Sequence, residues 1–421
     1  MQELSHPDMA GAEQFAAIPR ISLQVFCETS DLAGIVADAA EDRRMDKAHV
    51  RVQMGGAPAA VEAYRTSPTP NVVVLETVGQ KGEILGYLDQ LAEVCDATTK
   101  VLVIGQVNDI VLYRELVARG VSDYLIAPIG VVDIIRAVAS LYGAPGAKPV
   151  GRTIAVIGAK GGVGASTIAH NLAWAISREI GVDTCIADMD LPFGTGGLDF
   201  NQDPPQGIAD AVFSPDRVDT AFIDRLLSRC SDHLSLLAAP ATLDRVYDLG
   251  PEAFDPLLDI LRSTTPAIVL DLPHSWCAWT KRALATADDI LIVATPDLAN
   301  LRNAKNLMDL LRASRPNDGP PRYMLNQTGI AKRPEIKPGD FAKALDAEPI
   351  SVIPFEPQLF GTAANNGQMI SEMEPGHKVS GQFVELALAL TGRNDTRKAR
   401  PGLLSPLAPF LEKLTQLRKK A

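Results

Sequence analysis

From Ile21 onward, short apolar runs alternate with stretches whose apolar positions recur every three or four residues. The runs Ile21–Phe26, Val50–Met54, Val72–Leu75, Val101–Ile104 and Asp123–Ile126 have the length and β-branched content of buried strands. Between them Leu32–Ala40, Ala59–Tyr64, Ile84–Val94, Ile110–Ala118 and Val131–Leu141 carry the helical period. This alternation predicts a parallel α/β unit over residues 21–143. Residues 144–152, with Pro145 and Pro149, read as a linker, and the polar residues 1–20 as a flexible leader. A second alternation begins at Thr153, with strands expected at Ile154–Ile157, Thr184–Ala187, Leu234–Ala238, Ala267–Leu270, Ile290–Ala294, Arg322–Asn326 and Ile350–Ile353. Its length to residue 392 suits a larger, mostly parallel, doubly wound sheet.

Beyond Gly392 the chain turns basic and proline-rich. In this tail, 393–421, Leu407, Phe410, Leu411, Leu414 and Leu417 share one helical face, with Lys413, Arg418, Lys419 and Lys420 nearby. Such an end suits the surface of an anionic membrane or a partner, and equally packing against the second α/β unit. Pro406 and Pro409 hold the helix to about three turns, which is marginal alone.

Composition narrows the function classes. A net charge of -11 disfavours general nucleic-acid binding, so DNA is not an expected partner. The five cysteines are scattered without a C-x-x-C pair, which argues against a zinc or iron–sulfur site and fits reduced thiols. No apolar run reaches the about 18 residues of a spanning helix, and no signal-peptide core is present. A soluble, cytoplasmic protein is expected.

The strongest chemical signal follows Ile154–Ile157. Gly158-Ala159-Lys160-Gly161-Gly162-Val163-Gly164-Ala165-Ser166-Thr167 runs directly into the apolar helix Ile168–Ile176. Strand, glycine-rich turn and helix start are the context of a phosphate-binding loop, in which backbone N–H groups curl around phosphate oxygens. Gly161, Gly162, Val163, Gly164, Ala165, Ser166 and Thr167 are the candidate nucleotide contacts, with the Ser166 hydroxyl placed to hold Mg²⁺. The bland alternative is a glycine turn capped by Ser166.

The segment resembles the deviant Walker A motif of the MinD/ParA family, K-G-G-x-x-K-[ST]. The resemblance implies ATP and Mg²⁺ as cofactors and a homodimer closed over the nucleotide. It makes Lys160 the lysine that reaches the partner subunit's phosphates. The second lysine of the motif is here Ala165. Its loss removes a charge-assisted contact of about 1.5–3 kcal/mol, or about ten- to a hundredfold in affinity. Hydrolysis is expected to suffer more, because charge stabilisation dominates phosphoryl transfer. By the same resemblance Asp188 and Asp190 lie in switch I, Asp190 orienting water or Mg²⁺. Asp271 matches the Walker B aspartate, Asn326 the adenine-reading asparagine, and Pro354 to Gly367 the segment covering the base. An acidic residue closing a strand is otherwise often a helix cap. His170 and Trp174 are assigned to packing, and Trp276 and Trp279 to a dimer surface or the core.

Residues 21–142 resemble a response-regulator receiver that has lost its chemistry. The first strand ends Phe26-Cys27-Glu28, the third Leu75-Glu76, the fourth Ile104-Gly105-Gln106, and Ala127 precedes Pro128 where a lysine is needed. Without a metal pair and lysine a phosphoryl group has no counter-charge, so a docking module is expected. A degenerate receiver ahead of a MinD/ParA-like domain is similar to the layout of the CpaE/TadZ family. That likeness implies an assembly and localisation factor of a Flp (tight-adherence) pilus secretion system. Its implied partners are the secretion ATPase and inner-membrane pilus components, and its implied position is polar or peripheral to the inner membrane. The alternative is an active MinD/ParA-type switch ATPase. A metal-cluster ATPase is set aside because paired cluster cysteines are absent.

Overall fold

A computed structural model describes residues 16, 18–78, 81–143, 150–243 and 245–392. Most of the expected leader and linker, and all of the amphipathic tail, lie outside the described residues.

The first sheet holds β1 (Ile21–Cys27), β2 (Ala48–Met54), β3 (Val72–Thr77), β4 (Lys100–Gly105) and β5 (Asp123–Ile126). All are parallel in the order β2-β1-β3-β4-β5, the flavodoxin-like arrangement. The strands alternate sides. Leu23, Val25, Val72, Val74, Leu102 and Ile104 pack under helices Ser30–Ala40 and Val131–Ser140. Phe26, Val73, Leu75 and Val103 face helices Gly56–Tyr64, Lys81–Val94 and Ile110–Ala118. Burial on both faces explains why β1, β3 and β4 read as continuous apolar runs, while β2, at the sheet edge, is largely exposed.

The second sheet comprises β6 (Arg152–Gly158), β7 (Thr184–Asp188), β8 (Ser228–Ser231), β9 (Leu234–Leu237), β10 (Ala267–Leu272), β11 (Asp289–Ala294), β12 (Arg322–Thr328) and β13 (Val352–Pro354). Their order is β13-β12-β11-β6-β10-β7-β9-β8, parallel except for the β8–β9 hairpin at one edge. β8 carries no strand signal of its own, because Ser-Arg-Cys-Ser is short and polar. β6 sits centrally and is buried along its whole length. Helices Ala165–Arg178 and Lys378–Thr391 cover one face, and Asp255–Thr264, Ala278–Thr286, Leu298–Ser314 and Pro338–Leu345 cover the other.

A charged seam joins the two units. On the first, the 3-10 turn Arg43–Met45 presents Arg43 and Arg44. Arg43 donates to Asp318 (2.8 Å), to Asp288 (3.1 Å) and to the Thr286 carbonyl (3.1 Å). Arg44 also pairs with Asp318, while Asn317 donates to Asp42 and Arg282 to Asp46. Lys47 meets Asp259 at 2.6 Å. Hydrogen bonds from Arg43, with the nearby Arg315 and Arg44 charges, outweigh burial and hold the Asp318 carboxyl down at about 2. A cavity of about 870 Å³ follows the seam, but its arginines are engaged with aspartates and carbonyls.

Candidate nucleotide site

The loop from Gly158 to Gly164 leaves the C-terminal end of β6, and the helix Ala165–Arg178 starts directly behind it. Open parallel sheets place ligands in this crevice. Gly162 and Gly164 adopt φ of 79° and 84°, the left-handed region that favours glycine. At Gly164 a Cβ would also lie 2.8 Å from the Asn326 amide. The loop is braced through its carbonyls. Asn326 donates to Val163 (2.9 Å), Gln327 to Gly162 (3.1 Å) and Asn303 to Ala159 (2.8 Å). His274 Nδ1 lies 2.9 Å from the Gly158 carbonyl oxygen. Side chains thus hold the carbonyl side of the loop, the arrangement a nest of amides needs in order to present its N–H groups to an anion.

Lys160, Gly161 and Gly162 are exposed at the loop tip, whereas Ser166 and Thr167 are half-buried in the first helical turn. Ala165 takes the first helical position with no charge of its own. Hydrogen bonds from Asn300 and Thr295 outweigh burial and hold the Asp297 carboxyl low, and the Lys160 charge adds to this.

Behind the loop lie two buried carboxylates. Asp188 closes β7 and Asp271 lies opposite it on β10, exposed by 0% and 1%. Asp188 accepts from the Gly196 (2.8 Å) and Asp190 (3.2 Å) amides. Burial, reinforced by the Asp271 charge, pushes Asp188 up to about 7. Both Asp271 carboxylate oxygens are buried with no hydrogen-bond partner among the described residues. Asp190 is less buried, accepts from the Phe193 amide at 3.3 Å, and is raised by desolvation.

His170 lies between these elements. It is fully buried, with Nδ1 2.7 Å from Asp199 Oδ2 and Nε2 3.5 Å from Asp271 Oδ2. Burial alone would lower its pKa, but the hydrogen bond to Asp199 and the adjacent Asp271 carboxylate prevail and carry it up to about 10. The packing role read from the sequence is thus only half of what His170 does. Helical spacing could not disclose partners so distant along the chain. The bracing by Asn303, Gln327 and His274 carried no sequence signal either.

The remaining candidates occupy the rim. Asn326 is buried and turned onto the loop through its amide nitrogen. Pro354 ends β13 beside Thr328, ahead of helix Pro357–Asn366. Trp279 is in the core, 4.8 Å from the Phe254 ring, while Trp276 is 55% exposed.

The donor set fits Mg²⁺ bound together with a nucleotide. Among the described residues no three His, Cys, Asp or Glu side chains form a metal cage by themselves. Mg²⁺ characteristically takes one or two carboxylates, keeping waters and phosphate oxygens for most of the rest. The buried, unpartnered Asp271 oxygens, next to the helix that carries Ser166, suit such a partial shell.

In the first unit, the corresponding strand ends carry carboxylates that are engaged by the neighbouring backbone. Glu76 at the end of β3 accepts hydrogen bonds from the Glu28 amide (2.6 Å), the Thr29 amide (2.8 Å) and the Thr29 hydroxyl (2.6 Å). Glu28 is itself engaged with the Val78 amide at 2.9 Å.

Comparison with known proteins is consistent with this geometry. The ParA family model, described as an NUBPL iron-transfer P-loop NTPase, matches residues 149–195. The septum site-determining protein MinD of Bacillus subtilis is 24% identical over 263 residues, covering 58% of this chain and 91% of that one. A ParA family ATPase from Chlorobium tepidum is 27% identical, with a TM-score of 0.51, over 56% of this chain and 98% of that chain. A pilus assembly protein CpaE from Caulobacter crescentus is 49% identical over 30% of this chain and 98% of that chain, with a TM-score of 0.30.

Proposed function

The chain belongs to the MinD/ParA superfamily as a CpaE/TadZ-type member, and from that premise we propose that it is an assembly and localisation factor for a Flp-type pilus secretion system. In this reading it binds ATP with Mg²⁺ and dimerises across the nucleotide, with weak or no hydrolysis. The observation that carries the reading is the loop itself. It keeps the left-handed glycines, the braced carbonyls, Lys160 and Ser166, yet has Ala165 where the intrasubunit lysine stands.

Each residue then has a derivable task. The amides of Gly161 to Thr167 bind phosphate oxygens at the positive end of the helix. Ser166, Asp188 and Asp271 would hold Mg²⁺, which supplies positive charge against the phosphates when bound. Lys160, exposed at the tip, is free to cross to a second copy, and Asp190 orients water at the mouth. The missing lysine weakens transition-state stabilisation more than binding, so nucleotide serves as a dimerisation signal more than as fuel. The expected partners are the secretion ATPase and inner-membrane components of the pilus. No helix among the described residues is long and apolar enough to cross a membrane. A cytoplasmic position, polar or held against the inner membrane by the basic tail, belongs to the same proposal.

The test measures ATP affinity, mass in solution with and without ATP, and turnover. Micromolar-range binding with nucleotide-dependent dimers and little turnover is expected. Turnover at ordinary ATPase rates would shift the assignment to the switch-ATPase alternative, which retention of Lys160 and Asp190 favours.

A further inference from the structure

The segment 190–199 carries two of the most exposed apolar side chains in the second unit, Phe193 (72%) and Leu198 (75%). It is fastened at two points to buried groups behind the phosphate loop. Asp188 Oδ2 accepts from the Gly196 amide, and a Cβ on Gly194 would lie 2.4 Å from the Asp188 carboxylate. The second point is Asp199, at the end of the short helix Gly196–Asp199, whose carboxylate meets His170 Nδ1 at 2.7 Å. The opposite nitrogen of the same ring faces Asp271. The ring also packs 5.4 Å from Phe200. Further on, the Leu198 carbonyl closes against Gly367, where a Cβ would meet it at 2.9 Å.

We infer that His170 is a positioning residue that fastens the 190–199 segment to Asp271, so that occupancy of the phosphate side is felt by the loop bearing Phe193 and Leu198. Nδ1 is hydrogen-bonded to Asp199 and Nε2 faces Asp271 as a buried ion-pair contact at 3.5 Å, so one side chain lies between the two elements and touches a carboxylate of each. Apolar packing alone would not require a polar partner at each end of the ring. His170 deepens the nucleotide reading by giving that site a route to an exposed surface, and only the ATP arm of the test rests on that reading.

Hydrogen exchange on the full-length chain tests the inference. In nucleotide-free protein, His170→Gln keeps a donor near the Nε2 position toward Asp271 and loses the contact with Asp199. His170→Asn does the reverse. Exchange across 195–200 is expected to rise about tenfold or more in His170→Gln, the effect of losing one charge-assisted hydrogen bond. His170→Asn should stay near wild type there. Asp199→Asn should match His170→Gln, and the double variant should add little to either. Equal exchange in His170→Gln and His170→Asn, or additive effects in the double variant, would overturn the link. A packing role alone would loosen helix Ala165–Arg178 and β10 in both variants alike. In the second arm, ATP with Mg²⁺ should protect 190–200 in wild type but not in His170→Gln that still binds ATP; full protection in that variant would also overturn it. A wild-type chain that fails to bind ATP refutes the nucleotide reading, and the nucleotide-free comparison still decides the role of His170.

Discussion

Removing Asp318 should damage the protein more than removing Arg43, although the two form one ion pair. Asp318 is 9% exposed at its side chain and collects Arg43, Arg44 and Arg315. Asp318→Ala leaves three guanidinium groups around a hole, and breaking a buried pair in this way costs about 3–5 kcal/mol. Arg43→Ala removes bonds to Asp318, Asp288 and the Thr286 carbonyl. Asp318 then keeps Arg44 and Arg315, while Asp288 keeps Arg262 at 3.3 Å and the Thr153 amide at 2.9 Å. No carboxylate is stranded, so the loss is that of charge-assisted bonds, about 1.5–3 kcal/mol. The two losses also differ in place. Asp318→Ala removes the partner of Arg315 inside the second unit and of Arg43 and Arg44 across the seam, whereas Arg43→Ala weakens the seam but leaves Arg44–Asp318, Lys47–Asp259 and Arg282–Asp46 in place. The three tryptophans, Trp174, Trp276 and Trp279, all lie in the second unit. Urea unfolding followed by tryptophan fluorescence therefore reports that unit, and far-UV circular dichroism reports both. Asp318→Ala should shift the fluorescence midpoint strongly, while Arg43→Ala should shift both the fluorescence and dichroism midpoints less. Acid gives the same contact a pH signature. The Asp318 pKa falls from 3.8 to about 2 on folding. A depressed carboxylate contributes stability above its unfolded pKa and loses it as pH falls through the folded one. About 2 kcal/mol is thus present above pH ~4 and is lost toward pH ~2. Arg43→Ala that costs as much as Asp318→Ala, or both costing less than about 0.5 kcal/mol, would refute the reasoning.

Three further outcomes follow from the sites described. Ala165→Lys should tighten ATP binding about ten- to a hundredfold in a fluorescent-nucleotide titration; unchanged affinity would mean the alanine is not limiting. Gly164→Ala forces an L side chain to φ of 84° and a Cβ to within 2.8 Å of the Asn326 amide, so it should lose about 1–3 kcal/mol of stability together with nucleotide binding in the same titration. Glu76→Ala should destabilise the first unit by about 1–3 kcal/mol for each amide left without an acceptor, while Glu76→Gln recovers part of this in thermal melts.

What the sequence made legible was whatever is local. Alternating periods located β1 to β5 and the parallel strands of the second sheet, because each buried strand announces itself over a few residues. Gly158 to Thr167 was readable because the turn demands glycines at fixed positions just before a helix. β8 was not, since Ser228–Ser231 has neither an apolar run nor alternation, and it pairs only because β9 lies beside it. The seam was invisible for a different reason. Arg43 and Asp318 are 275 residues apart, and no spacing rule connects them. His170 looked like one more packed side chain on an apolar helix until Asp199 and Asp271 appeared at its two nitrogens. Glu76 was legible as a lost phosphoacceptor, but not as the acceptor that holds the Glu28–Thr29 turn.

The seam also sets the architecture of a pair of copies that meet over the nucleotide as proposed. β6 begins at Arg152 beside the seam and ends at Gly158 under the phosphate loop, a span of about 20 Å for its 7 residues. The first unit is therefore mounted on the end of the sheet opposite the mouth. Two chains meeting mouth to mouth would carry their first units outward at opposite poles, as a two-ended bracket. Whatever binds those units would be held apart at a set distance, and a single nucleotide event at the centre would decide whether two such ligands are yoked or released.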